Sequence, residues 1–459
     1  ATSVGTASAA TTAAVVFGNA STTGGTLIYL GAGETSDRAL TSLSTTGGIT
    51  IEASGTGPLV LNGTFTNSNA AAAAKTLSLN GYGPGVNLLN STLTNNTGGG
   101  GGALSITKNG GGVWVITGNN TGVSGGTVSL SGGVLGVGHN NALGTDTISW
   151  SNGMIMAYGA DRTLSNAVTL NANNTWGVMG DYGLTFSSVA NWGSGTTTYS
   201  NNFYNNLTGG KVLTFGGGFN SAFGATGTNT NTITIIGTGT TILTGAITQT
   251  TGGTLNGITL QGSVGGTMIF NGNGTNTMAG PFTQTSGTLK VARTGAFAAF
   301  SNYTFTAGYL QNTYGSALTG VDALIPVAGI LNLNGTQLYL NGSGAAASIE
   351  VAGQFNDGAG SRILYSNLSS GAQLTLSGTI NLSSDATARV MTINGKGDGI
   401  INLTGVFAAT SLATSTTIAG TFVKGALGDL NIAPTSSLNA PVNGNLVVSG
   451  GTASFRTAN

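Results

Sequence analysis

Short groups of β-favouring residues, each closed by glycine, recur along most of this chain. They include PLVLNG (58–63), ILNLNG (330–335), QLYLNG (337–342) and QLTLSG (373–378). Alternation of apolar and polar residues over so few positions predicts half-buried strands, and the Asn-Gly pairs that follow them favour tight turns. Strands this short cannot bury a core alone, so their repetition predicts successive turns that stack on one another.

This rhythm begins near residue 25 and runs almost to the C-terminus, without a capped amphipathic helix. We therefore predict an all-β fold, a parallel β-helix (β-solenoid) of roughly 15–20 coils. Residues 18–459 are expected to form one continuous solenoid, with a less regular, aromatic-rich region near 174–231. Residues 1–17, nearly all small or β-branched, are expected to be an extended N-terminal segment and a candidate strand between subunits.

Composition restricts the class of protein. Glycine accounts for 81 of the 459 residues and charged residues for only 5%, yet 39% are hydrophobic. That hydrophobic content indicates an ordered chain, because disordered chains usually lack the apolar side chains that offset ordering entropy. Twelve basic and twelve acidic residues cancel, so no electrostatic field favours nucleic acid or an anionic membrane.

The ends and the cysteine count add further expectations. No run approaches the roughly 18 apolar residues of a spanning helix, so we expect no membrane insertion of this chain. The sequence begins at Ala1 without a basic or apolar leader, which we interpret as a mature secreted product. Cysteine is absent, which excludes zinc fingers, thiol nucleophiles and disulfides.

Catalytic chemistry has little support in the sequence. The acidic residues are dispersed, and most have a basic neighbour, as in Asp161–Arg162, which predicts local ion pairs at turns. Coil stacking leaves open an alignment of Asp146 with Asp161 or Asp181, so a polysaccharide lyase or hydrolase stays a less favoured alternative. His139, the one histidine, is interpreted as a solvated corner residue. We assign no catalytic, metal-binding or cofactor-binding residue and expect no cofactor.

Two sets of residues are candidates for interaction. The first comes from the aromatic-rich region, where the side chains either fill wide coils, the favoured interpretation, or form an exposed surface that stacks on sugar rings or anchors a partner. Its members are Trp176, Tyr182, Trp192, Tyr199 and Tyr204. The second set lies at the two ends, where we see no polar capping unit, and would supply subunit contacts. Its members are Val4, Val15, Val16, Phe17, Leu446, Val447, Val448 and Phe455.

One stretch resembles a known family. Residues 106–145 carry Lys108, then the strand around Trp114, a Gly-Asn-Asn-Thr turn, a Gly-Gly-Thr turn and a final Ala-Leu-Gly. This order is similar to the autotransporter-associated β-strand repeat of large secreted bacterial proteins, and residues 25–65 resemble the coils that often precede it. The resemblance implies secretion, a right-handed parallel β-helix and a role at the cell surface, and it implies no catalytic residues.

The sequence thus favours a non-enzymatic extracellular structural protein of the bacterial cell surface. In this hypothesis the chain binds itself head-to-tail to form filaments or a surface layer, because two uncapped ends that pair heterologously give an open polymer. The alternative is a monomeric surface adhesin or autotransporter passenger that binds glycans or surfaces. Neither hypothesis involves nucleic acid.

Overall fold

The structure is a computed structural model of the whole chain. The chain divides into two compact units, which are treated separately: unit one comprises residues 1–194 and 201–222, and unit two comprises residues 195–200 and 223–459. The residues that the structure describes are 14–19, 22–68, 73–98, 101–171, 175–192, 200–221, 232–249, 257–262, 266–272, 274, 276–335, 337–356, 362–369, 371–381, 389–394, 399–407, 420–424, 429–432, 446–448 and 452–455.

Unit one is built from short strands separated by turns. The strands are β1 (Val15–Phe17), β2 (Gly25–Tyr29), β3 (Ala32–Ser36), β4 (Leu40–Ser42), β5 (Ile49–Ala53), β6 (Gly57–Leu61), β7 (Phe65–Asn67), β8 (Lys75–Asn80), β9 (Val86–Leu89), β10 (Leu104–Lys108), β11 (Val113–Ile116), β12 (Thr127–Leu130), β13 (Val134–Val137), β14 (Thr147–Trp150), β15 (Gly153–Ala157), β16 (Arg162–Leu164), β17 (Val168–Leu170), β18 (Thr175–Gly180), β19 (Leu184–Phe186), β20 (Ala190–Trp192), β21 (Ser200–Leu207), β22 (Val212–Phe215) and β23 (Phe219–Ser221).

These strands form four parallel sheets, in which each strand pairs with its equivalent in the next turn. Sheet A has the order β1-β4-β7, sheet B the order β2-β5-β8-β10-β12-β14-β17-β20-β23, sheet C the order β3-β6-β9-β11-β13-β15-β18-β21, and sheet D the order β16-β19-β22. The register is regular: in sheet B, for example, Ile106 is opposite Leu77 on one side and Val128 on the other.

Unit two repeats this design. Its strands are β24 (Thr232–Gly237), β25 (Thr240–Leu243), β26 (Ile247–Gln249), β27 (Gly257–Gly262), β28 (Thr267–Phe270), β29 (Phe282–Ser286), β30 (Thr288–Val291), β31 (Tyr303–Phe305), β32 (Tyr309–Asn312), β33 (Ile330–Leu333), β34 (Gln337–Ser343), β35 (Ile349–Val351), β36 (Gln354–Asn356), β37 (Arg362–Ser369), β38 (Gln373–Leu376), β39 (Thr379–Asn381), β40 (Arg389–Asn394), β41 (Ile400–Leu403), β42 (Val406–Phe407), β43 (Gly420–Lys424), β44 (Asp429–Ile432), β45 (Leu446–Val448) and β46 (Thr452–Phe455).

Three parallel sheets organise unit two, and the only helices among its described residues are two short 3₁₀ turns at Gly320–Asp322 and Ala345–Ala347. Sheet E has the order β24-β27-β29-β31-β33-β36-β39-β42, sheet F the order β25-β28-β30-β32-β34-β37-β40-β43-β45, and sheet G the order β35-β38-β41-β44-β46.

The core follows directly from the alternation in the sequence. Strand β5 shows the rule, since its first, third and fifth residues are buried while Thr50 and Glu52 between them are half-buried. Stacking places like residues on top of one another, so the inward leucines, isoleucines and valines of successive turns form continuous apolar columns. Each fully buried side chain of this size contributes about 1.5–3 kcal/mol relative to an exposed one.

Close stacking also explains much of the glycine content. At Gly63, for instance, a Cβ atom would lie 1.9 Å from the carbonyl oxygen of Arg38 in the preceding turn. No side chain fits at that distance, so the corner requires glycine independently of its backbone conformation.

Lys108 caps backbone carbonyls at a corner of unit one. Its side chain is fully buried, and Nζ donates to the carbonyl oxygens of Asn109 and Gly110, both at 2.8 Å, and of Gly132 at 3.2 Å. An ammonium has three N–H donors, so all of them are used. Burial lowers the pKa of Lys108 to about 8.

Uncharged side chains form ladders on the outside of both units. In unit one, Asn90 donates to Asn62 at 2.7 Å, and Thr117 donates to Asn90 at 2.7 Å. In unit two, Asn356 donates to Asn332 at 2.8 Å, and Asn381 donates to Asn356 at 2.7 Å. Parallel in-register stacking makes these ladders possible, because equivalent residues of successive turns lie about 4.8 Å apart.

The predicted fold class is confirmed: the protein is an all-β, parallel β-solenoid. Within the described residues, the parallel strands stack into about 13 turns, somewhat fewer than the 15–20 coils predicted. In the region near 174–231, the described strands β18 to β23 keep a parallel register. The right-handed winding and the continuity of residues 18–459 stay predictions.

Candidate ligand-binding surface

The tryptophans that the sequence placed in a candidate interaction surface lie in the core. Trp176 and Trp192 have no exposed surface, and Trp176 Nε1 donates to the Trp150 carbonyl oxygen at 2.7 Å. Neither is available to an external ligand, so the exposed alternative is wrong for both and the favoured interpretation, coil filling, is correct. Tyr182 is 37% exposed and Tyr204 is half-buried. Tyr199 lies outside the described residues.

A cluster of rings explains why this part of unit one is rich in aromatic residues. Trp150 lies 5.7 Å from Phe203 between ring centroids, and Phe215 lies 5.6 Å from both Phe186 and Phe203. These separations are typical of favourable aromatic pairs, each worth about 0.5–1.5 kcal/mol beyond the area that it buries. Large inward rings therefore stabilise these turns from within.

The candidate subunit contacts at the N-terminal end differ in how exposed they are. Strand β1 pairs with β4 of its own chain, so residues 15–17 belong to sheet A, which corrects their assignment to a separate extended segment. Phe17 is buried, which removes it as a contact, whereas Val16 is 51% exposed and Val15 is half-buried. Val4 lies outside the described residues.

At the C-terminal end the structure describes the backbone alone. Leu446, Val447 and Val448 form strand β45, which pairs with β43, and Phe455 ends strand β46, which pairs with β44. Their side chains lie outside what the structure describes, so their role as subunit contacts stays a prediction.

The three acidic residues for which the sequence left an alignment open have separate environments. Asp146 is buried, which raises its pKa, and accepts a hydrogen bond from Gly126 N at 2.9 Å. Asp161 pairs with Lys211 at 2.9 Å, and this hydrogen bond lowers the pKa of Asp161. Asp181 instead accepts a hydrogen bond from the Thr208 hydroxyl.

Two local predictions about charged and polar turns have different outcomes. The ion pair expected between Asp161 and Arg162 does not form, because the Arg162 guanidinium donates to the carbonyl oxygen of Tyr158 at 3.0 Å. His139 lies in a turn, as expected, where its Nδ1 accepts from Asn141 N at 3.0 Å. Among the described residues, no three potential metal ligands cluster, and no helix is long and apolar enough to cross a membrane.

The structure reveals instead a row of tyrosines on the outer face of sheet F in unit two. Tyr309, Tyr339 and Tyr365 occupy equivalent positions in strands β32, β34 and β37. The ring centroids lie 5.0 Å apart in the first pair and 4.6 Å apart in the second, where the planes differ by only 8°. We call these three residues the tyrosine ladder.

The tyrosine ladder presents ring edges and phenol groups rather than open ring faces. The Tyr339 ring lies between the other two, so its faces are covered, while Tyr309 at the start of the ladder is 42% exposed. Tyr309 is opposite Thr288 in the preceding turn, which leaves no ring stacked on its outer side. The Tyr339 hydroxyl donates to Gln337 Oε1 at 2.6 Å.

A polar row runs beside the tyrosine ladder on the same outer face. Lys290, Gln311 and Asn341 are aligned in strands β30, β32 and β34, and Asn367 follows in β37. Asn367 donates to Asn341 Oδ1 at 2.9 Å. Phenol, amide and ammonium groups in adjacent rows offer the donors and acceptors that bind hydroxyl-rich ligands.

Sequence reasoning missed this surface because the three tyrosines are not neighbours in the chain. They occur in separate turns of unequal length, and only the coil register brings them together. The one signal available was the local similarity of GYLQN, QLYLNG and RILYSN, in which a tyrosine takes an outward position of a strand. Without the register, that similarity does not distinguish stacked from scattered rings.

Comparison with known proteins gives one informative similarity. No family model matches the sequence, and no solved structure matches it significantly. The Adhesin BmaC autotransporter of Brucella suis biovar 1 (strain 1330) is 36% identical over 153 residues, which is 32% of this chain and 4% of the adhesin. The chain therefore spans only a small part of that protein's length.

The parallel β-solenoid and this similarity together fit an autotransporter-associated β-helix repeat protein. This is the class that residues 25–65 and 106–145 resemble in sequence.

Proposed function

We propose that this chain is the solenoid part of an adhesin-like passenger at a bacterial cell surface. The observation that carries the proposal is the 36% identity to an autotransporter adhesin over 32% of this chain, in a chain that folds as a parallel β-solenoid. The similarity also favours a surface or extracellular location and a non-enzymatic role.

The finer part of the proposal is that the passenger binds glycans through the tyrosine ladder and the polar row beside it. Two observations support this assignment. The ladder is an outward aromatic stack with its phenol groups at the surface, and the adjacent row supplies amide donors and acceptors. Tyrosines of this kind combine a rigid apolar body with a polar tip, which suits contact with a hydroxylated surface.

A glycan array with the full chain tests this assignment. The test variant replaces Tyr309 and Tyr365 with threonine, which retains β-propensity but removes both outer rings. The matched control is Tyr82→Thr, because Tyr82 is also exposed, at 77%, but lies in unit one and outside the ladder. We expect glycan binding that the double variant loses and the control keeps. Binding that survives in the double variant would assign the function to another surface.

Head-to-tail assembly into filaments or a surface layer is the second candidate. It is supported by strands β1, β2 and β3, which are the first strands of sheets A, B and C among the described residues, and by the exposed Val16. Strand edges of this kind pair readily with another chain. Negative-stain microscopy over a range of concentrations tests the candidate: filaments support it, and separate particles at every concentration refute it.

A further inference from the structure

Arg293 is a buried cation at a corner of unit two. It follows strand β30 and is only 3% exposed. Its Nη1 donates to the carbonyl oxygens of Gly245 and Asn271, both at 3.3 Å, and its Nη2 donates to Asn276 Oδ1 at 2.6 Å. The guanidinium carbon also lies 5.7 Å from the centroid of the Phe270 ring.

These contacts leave the guanidinium incompletely satisfied. Of its five N–H donors, three are accounted for, and Nε has no hydrogen-bond partner although it is buried. Among the described residues, the one ion pair joins Lys211 and Asp161 in unit one, so no carboxylate there forms an ion pair with Arg293. Burial without a compensating anion lowers the pKa of Arg293 to about 10.

Lys108 shows what a purely structural cation looks like in this fold. Its three N–H donors meet three carbonyl oxygens, so it needs no further partner. Arg293 differs because its Nε–H lacks a partner and, among the described residues, its Nη2 has one acceptor for two N–H groups. Nε and Nη2 lie on the edge of the guanidinium that pairs side-on with a carboxylate.

A cleft opens beside Arg293. Its volume is about 410 Å³, within the range of small-molecule sites. Polar groups on its lining come from Asn276, Arg293, Thr294 and Tyr314, and the remainder is glycine and alanine. Tyr314 is 42% exposed, so its ring is available at the surface. The cleft lies where strands β28, β30 and β32 end, next to the polar row that contains Lys290 and Gln311.

We propose that this cleft binds the carboxylate of an acidic sugar, with the carboxylate paired side-on to Arg293 and the sugar ring against Tyr314. A buried cation whose Nε is unpaired favours an anion, and the hydroxyl of Thr294 and the aromatic ring of Tyr314 suit the rest of a sugar. Nε is covered by protein atoms in the structure, so we expect the guanidinium to shift when the carboxylate binds. This inference rests on the proposed function, because it names a substrate class for a glycan-binding passenger.

Isothermal titration of the full chain tests the proposal. The probes are sodium glucuronate and sodium N-acetylneuraminate, two acidic sugars of different size, with glucose as the neutral control and sodium acetate as the carboxylate without a ring. We expect one of the acidic sugars to bind at least about tenfold more tightly than glucose and acetate, and the tighter of the two identifies the source. Equal affinity for glucose, or for acetate, would overturn the proposal.

Two variants assign the binding to this cleft. Arg293→Lys keeps the positive charge but loses the side-on pair of donors, so we expect affinity to fall about tenfold. Tyr314→Ala changes an exposed residue that the core does not need, and we expect an affinity loss of about threefold with an unchanged melting temperature. Tyr82→Ala is the matched control and should bind like the parent. Unaltered affinity in Tyr314→Ala, or in a folded Arg293→Lys, would refute the site.

The outcomes separate this inference from the proposed function. Neutral glycans bound on the array, without titration by either acidic sugar, would refute the cleft and leave the adhesin proposal intact. A different result would support the cleft and count against the tyrosine ladder as the glycan site. In that result an acidic sugar binds in the titration, Arg293→Lys and Tyr314→Ala weaken its binding, and no glycan binds on the array.

Discussion

The tyrosine ladder should contribute measurable coupling energy to the stability of unit two. Tyr339 and Tyr365 have centroids 4.6 Å apart and nearly parallel planes, so their direct interaction is expected to be worth about 0.5–1.5 kcal/mol. Tyr339 also contacts Tyr309 at 5.0 Å. Tyr339→Thr, which removes both contacts, should therefore lower the free energy of unfolding by about 1–3 kcal/mol, and Tyr365→Thr by about half as much.

A double-mutant cycle measures the coupling directly. Urea unfolding of the parent, the two single variants and the double variant gives an interaction energy in which the separate effects of each substitution cancel. The matched control is the cycle of Tyr309 with Tyr365, because Tyr339 lies between them. We expect about 0.5–1.5 kcal/mol for the adjacent pair and less than about 0.5 kcal/mol for the separated pair. An adjacent pair that is additive would refute the view that the rings support one another.

The remaining predictions concern pH and packing. The pKa of Tyr339 is raised, first by burial and then by Tyr365 and Tyr309. The folded state therefore holds the Tyr339 proton more strongly than the unfolded state does. The free energy of unfolding should fall above about pH 10 in the parent, and less in Tyr339→Thr. Lys108 changes stability with pH in the opposite direction. Its pKa is about 8 in the folded protein and about 10.5 in the unfolded chain, so the free energy of unfolding should rise from pH 8 to pH 10. Urea titrations at both values should show that rise in the parent and a smaller rise in Lys108→Met. Gly63→Ala puts a Cβ 1.9 Å from a carbonyl oxygen and should cost at least about 1–3 kcal/mol by the same assay, whereas Gly132→Ala, with its nearest atom at 3.7 Å, should be nearly neutral.

The fold was predictable because each local signal in the sequence agrees with the others. Units such as TLSLNG and QLTLSG combine alternation with a closing glycine, and in both the first and second leucines are buried in the structure. Parallel pairing follows from repetition, since a strand that recurs once in each turn meets its own equivalent. The scarcity of charged residues agrees with this fold, because Thr, Ser and Asn take the outward positions.

The candidate site was harder to predict because it depends on register. Trp176 and Tyr309 are both aromatic residues in β-favouring segments, yet the first is fully buried and the second is 42% exposed. The two residues differ only in whether their position in the strand points inward or outward. A shift of one residue in the register exchanges the inward and outward positions. Arg293 presented a further difficulty, since its partners Gly245 and Asn271 lie in preceding turns and nothing near it in the sequence indicates burial.

The amide ladders on the outside of the solenoid have a consequence for the conditions that the protein tolerates. Their members, such as Asn62, Asn90 and Thr117, carry no charge and do not titrate in the physiological range. Dissolved salt weakens attraction between exposed charges but leaves hydrogen bonds between neutral amides nearly unchanged. A surface stabilised by neutral hydrogen bonds should keep its structure in both fresh water and concentrated salt. It should also keep its structure across changes in acidity that would break surface ion pairs.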